Sequence, residues 1–228
     1  MIHFRCLVAC LIAVPQLALA ATPDELDRLY QALRGPDLME ILSEEGQMQS
    51  VDLQAEMFPG RSNGAWLATT AAIYNVDVME QVFRERFDLE LADADVAPLL
   101  SYLESEEGQQ IVQLEVDARR ALMDDSVEEA AKEAFAVLED QDPARLDQLE
   151  TFVDENDLID LNVSGALNAN LSFYNGLAAG GGFDLPQDEI LADVWSSADG
   201  IREDTTEWVF SYLTMAYGPL SDAELEGY

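Results

Sequence analysis

Apolar residues recur at steps of three and four along most of this chain, and that spacing is satisfied by packed helices and by little else. Ile111, Leu114, Ala118, Ala121 and Leu122 form one such stripe, Val96, Leu99, Leu100 and Leu103 another, and Val127, Ala130, Ala131, Ala134 and Leu138 a third. With 3.6 residues per turn, each set falls on one helix face. The alternation of β-branched residues that marks strands is nearly absent. The expectation is an all-α protein, an irregular helical bundle. Pro and Gly gather at two places, residues 58–64 (FPGRSNG) and 178–186 (AAGGGFDLP), which read as loops.

Those loops occupy corresponding points of two similar halves. Residues 37–41 (DLMEI) resemble 157–161 (DLIDL), and residues 91–96 (LADADV) resemble 220–225 (LSDAEL). Two matches in the same order, with a loop between, predict a duplicated helical unit. The first unit and a long connecting helix span residues 21–145, and the second spans 146–228. The second copy stops soon after its last anchor, so either the natural chain continues past Tyr228 or the final helix frays for want of a packing partner.

Residues 1–20 (MIHFRCLVACLIAVPQLALA) have the layout of a secretory signal peptide: Arg5, an apolar run, Pro15 and a small-residue exit ending at Ala20. The run is too short for the ~20 apolar residues of a bilayer span. Export to the periplasm or medium is therefore expected, with no transmembrane span. Removing this segment takes away His3, Cys6 and Cys10, the only His and Cys in the chain. Zinc, iron and copper sites built on imidazole or thiolate, disulfides and His-based triads are then closed to the mature protein. A Ser-Lys dyad would need Lys132, the only lysine, and no Ser stands three residues before it.

Loss of Arg5 leaves 10 Lys+Arg against 46 Asp+Glu, a net charge of −36. Nucleic acid and anionic lipid should be repelled, because their affinity comes from basic groups on phosphate. With 49% hydrophobic residues the chain still has ample material for a core.

The letters SEEGQ occur twice, at residues 43–47 and 105–109. The first copy reads as compositional in so acidic a chain. The second predicts a helix through Tyr102 and Leu103, a tight turn, Ser105 as an N-cap, a new helix from Glu106, and close backbone approach at Gly108. Its context, residues 100–109 (LSYLESEEGQ), resembles the signature F-Y-x-S-P-x-G-Q of an exported bacterial family known as domain of unknown function 2059. Glu106 stands where that family has Pro, and the aromatic is shifted. The resemblance covers roughly residues 70–125, with a second copy from Leu220. It implies an all-helical envelope protein of a family with no assigned activity.

The best metal candidate is residues 160–171 (DLNVSGALNANL), where Asp160, Asn162 and Ser164 take the first three ligand positions of a calcium loop and Gly165 the sharp turn. Leu171 stands where the bidentate glutamate belongs, so any Ca2+ site would be weak. The same stretch also reads as an ordinary helix. Carboxylates alone could serve a glycosidase, but adjacent acids occur at chance frequency and no pair can be singled out. Trp195, Trp208, Phe210, Tyr212 and Tyr217 read as core or as a stacking surface for a sugar or peptide. Arg119 and Arg120 read as ion-pair partners of acids on their own and neighbouring helices. The composite expectation is a non-enzymatic binding or envelope-associated protein with an unidentified protein or envelope partner.

Overall fold

A computed structural model describes residues 20–228 except 61–63 and 183–184. The expected leader, with His3, Cys6 and Cys10, lies outside the described residues but for Ala20. Among the described residues the chain is all-helical, with no strand. The order is α1 (Pro23–Ala32), α2 (Gly35–Met57), α3 (Gly64–Ile73), α4 (Val76–Leu91), α5 (Ala97–Leu103), α6 (Glu106–Ala121), α7 (Asp125–Gln141), α8 (Pro143–Glu155), α9 (Leu158–Ala179), α10 (Gln187–Ser196), α11 (Ala198–Tyr217) and α12 (Asp222–Gly227). None of these helices is long and apolar enough to cross a membrane.

Local chemistry sets most of the helix starts. Thr22 and Ser221 each accept from the backbone N–H three residues on, while Glu25 and Glu224 reach back to the cap, so α1 and α12 open on reciprocal capping boxes. Asn75, Asp124 and Asp142 cap α4, α7 and α8 with a single side-chain acceptor. Helices α2 and α9 start differently. Each follows one residue in the left-handed region, Arg34 at φ 55° and Asp157 at φ 50°, a conformation costing a non-glycine residue on the order of 1 kcal/mol. Arg34 holds its place by donating to Asp37 at 2.7 Å and to Gln113 of α6.

The turn expected between Leu103 and Glu106 is present. Ser105 Oγ accepts from Gly108 N at 3.0 Å, and the Gln109 amide donates to the Leu103 and Ala32 carbonyls at 2.6 and 2.8 Å. A Cβ on Gly108 would overlap the Tyr102 carbonyl, so glycine is what lets α6 start tight against the end of α5. The first SEEGQ is not merely compositional. Ser43 is buried in α2 and donates to the Tyr74 carbonyl at 2.5 Å, and a Cβ on Gly46 would overlap the Tyr74 ring.

Helix α1 packs on α2, α4 and α5, and α2 on α3 and α4; in turn α8 packs on α9, α11 and α12, and α9 on α10 and α11. The two sequence anchors do not take equivalent places. Asp37 is the third residue of α2, whereas Asp157 precedes α9, the place Arg34 holds before α2.

Helix α6 is the wall between two buried clusters. Val112 and Val116 pack with Leu26, Leu29, Ile41, Val96 and Leu100 on one side. Ile111 and Ala118 pack with Leu149, Val153, Leu213, Tyr217 and Leu225 on the other. Each fully buried side chain of this size contributes about 1.5–3 kcal/mol. In α7 the buried face lies at Ala131, with Phe135 stacked on Phe210 at 5.2 Å, while Ala130 and Ala134 are exposed. The last helix does not hang free: Leu225 is buried, and Tyr228 stacks on Phe152 and Tyr102 at 5.5 and 5.9 Å.

Candidate functional site

Where α1, α2, α4, α6 and α11 converge they leave a predominantly apolar cavity of about 370 Å³. Helix α1 supplies Tyr30, and the first turns of α2 supply Leu38, Met39 and Leu42. These α2 positions differ by one, three and four, the spacing that turns successive side chains to one side of a helix. Phe83 and Phe87, one turn apart on α4, add two rings 5.5 Å apart. Tyr30 completes that group at 5.9 Å from Phe83 and 6.3 Å from Phe87. Gly35 permits this arrangement, because a Cβ there would overlap the Tyr30 ring.

The polar end is built by α6. Val112, Glu115, Val116 and Arg119 are spaced at three and four, so one face of this helix carries two valines, an acid and a guanidinium into the same cavity. Arg119 donates through Nε and Nη2 to Glu45 of α2 at 2.8 and 2.7 Å, a bidentate pair that neutralises it. Its guanidinium lies 5.0 Å over the Trp208 ring, and Trp208 stacks on Tyr212 at 5.4 Å with the planes 2° apart.

Glu115 is the chemically unusual residue. Its Oε1 accepts from the Tyr217 hydroxyl at 2.6 Å and the Tyr228 hydroxyl at 3.0 Å, and its main-chain carbonyl accepts from Tyr212 at 3.2 Å. Burial pushes the Glu115 carboxyl above its ordinary range, and the two phenol hydrogen bonds only partly offset this. Burial and the nearby Glu115 charge push Tyr212, Tyr217 and Tyr228 upward as well, so all three remain proton donors.

The residues singled out for calcium are not brought together. All three belong to the unbroken α9. Asp160 accepts from Arg202 at 2.6 Å and lines a depression with Asp154 and Asp157. The Asn162 amide donates back to the Leu158 carbonyl at 2.8 Å, and the residue lines a different cleft with Gln49 and Trp208. Ser164 is exposed. The stretch is therefore a helix and not a loop, and no cluster of three or more acids, His or Cys that could hold a metal ion occurs among the described residues.

The aromatic stretch divides by position. Phe210 and Tyr217 are core, Tyr212 stands at the cavity's polar end with Trp208 stacked behind it, and Trp195 is 62% exposed on α10. Arg120 pairs with Glu40 and Glu44 of α2, so both arginines tie α6 to α2. Sequence reasoning missed Glu115, whose only signal was an acid at the three-residue step from Val112 inside an apolar stripe. Compared with protein-family models, curated proteins and solved structures, the chain matches none.

Proposed function

We propose that this chain is an exported, non-enzymatic binding protein made of two related helical units around α6, and that it holds a small apolar molecule in the cavity between α1, α2, α4, α6 and α11. The observation that carries this reading is the cavity itself. About 370 Å³ of space walled by Tyr30, Leu38, Met39, Phe83, Val112 and Val116 is large for an unfilled packing defect and falls within the range of ligand sites. A carboxylate-only hydrolase needs two opposed acids, and this cavity wall offers Glu115 alone. The leader-like residues 1–20 and the resemblance of residues 100–109 to the exported family support placement outside the cytoplasm.

Titrating the purified chain with N-phenyl-1-naphthylamine tests this reading. Saturable fluorescence enhancement at one site is expected, together with its loss in Leu42→Trp, which fills the cavity, while the helical circular dichroism is retained. Enhancement that never saturates, or that survives the filling substitution, contradicts it.

A further inference from the structure

The chemistry of the cavity wall narrows the ligand class, on the reading that this cavity is a binding site. Arg119 brings no net charge, since Glu45 meets it through two hydrogen bonds. The wall's one remaining ionisable acid is Glu115. Both tyrosine hydrogen bonds fall on Oε1, and among the described residues Oε2 accepts none. The same cavity is lined by the Tyr30, Phe83 and Phe87 rings, whose faces carry the negative end of the aromatic quadrupole. One ring of that cluster already holds a cation, the Arg84 guanidinium lying 4.7 Å over Tyr30. An apolar chamber whose wall combines electron-rich rings with a single carboxyl matches neither an anion nor a plain hydrocarbon.

We propose that the cavity selects an organic monocation, an amine or quaternary ammonium bearing an apolar chain, with the charged head between Glu115 and the aromatic cluster. The net charge of −35 would raise the local concentration of such ligands and speed their arrival. Affinity from that general field is screened by salt, whereas attraction inside the cavity is not, and this separates the two contributions.

The test is displacement of N-phenyl-1-naphthylamine from the full chain by octyltrimethylammonium, 1-octanol and octanoate, in about 0.5 M NaCl where the screening length is about 4 Å. The expected ranking places the ammonium about tenfold ahead of the alcohol, with octanoate weakest, and the ammonium's advantage disappears in Glu115→Gln. If 1-octanol binds as tightly as the ammonium, or the Glu115→Gln chain keeps the preference, the selectivity is wrong while the cavity reading stands. If none of these compounds binds and the naphthylamine also fails, both are overturned.

Discussion

Glu115 occupies a place where a carboxyl is costly, held by two tyrosine hydroxyls and cut off from most of the solvent. Because burial raises its pKa in the folded state, the fold binds this proton more tightly than the unfolded chain does. Stability from this group is therefore fully present below the unfolded pKa and is lost as pH rises through the folded value. Glutamine keeps an acceptor for Tyr217 and Tyr228 but does not titrate. Wild type should gain melting temperature relative to Glu115→Gln as pH falls from about 7 toward 4, and circular dichroism melts that stay parallel across that range would contradict the assignment. Gly108 poses a steric case. Ala there would drive its methyl into the Tyr102 carbonyl, a backbone atom that cannot swing aside, so Gly108→Ala should lower unfolding free energy by about 2–4 kcal/mol in a urea titration. A loss under about 0.5 kcal/mol, the range of an ordinary surface change, would mean that α5 and α6 do not meet so closely.

At the scale of elements, Arg145 does for α11 what no residue of α11 does for itself. From α8 it reaches two buried carbonyls at and just past the end of α11, donating to Tyr217 O at 2.6 Å and Leu220 O at 3.1 Å, with Asp222 at 3.3 Å. Arg145→Leu would take a buried donor from both carbonyls and leave Tyr217 O with the Leu220 N–H alone. A loss of about 2–4 kcal/mol is expected, visible as a lower denaturation midpoint, with Arg145→Lys recovering part of it. Helix α9 gives a prediction of opposite sign. Gly165 lies mid-helix with nothing near a would-be Cβ, so Gly165→Ala should stabilise by about 0.5–1 kcal/mol. Were residues 160–171 a calcium loop, the same change would damage the sharp turn. Melting temperature that falls in Gly165→Ala, or that rises with calcium over sodium at equal ionic strength, would restore the loop reading.

The whole molecule is organised by α6, and this is where the sequence was most and least informative. The helical class, the break at Ser105 and the tight approach at Gly108 were legible because each depends on a few consecutive residues. The role of Ser43 was not, since it is fixed by Tyr74, 31 positions away. The anchors at Asp37 and Asp157 take different places in their helices because short acidic motifs match easily in an acidic chain, whereas the left-handed turns at Arg34 and Asp157 leave no glycine to mark them. The α6 stripe of Ile111, Leu114, Ala118 and Leu122 was seen, but one stripe cannot reveal that Val112 and Val116 serve a second core on the opposite side. The cavity was invisible for the same reason: its wall is assembled from five helices, and no contiguous segment contains it. The most direct test of the account is a titration of the 15N-labelled chain with octyltrimethylammonium followed by amide chemical shifts. Saturable shifts concentrated at Leu42, Phe87, Val112, Glu115 and Val116 are predicted. Shifts confined to the exposed faces of α9 and α10 around Leu161 and Leu191, or no shifts at all, would contradict it.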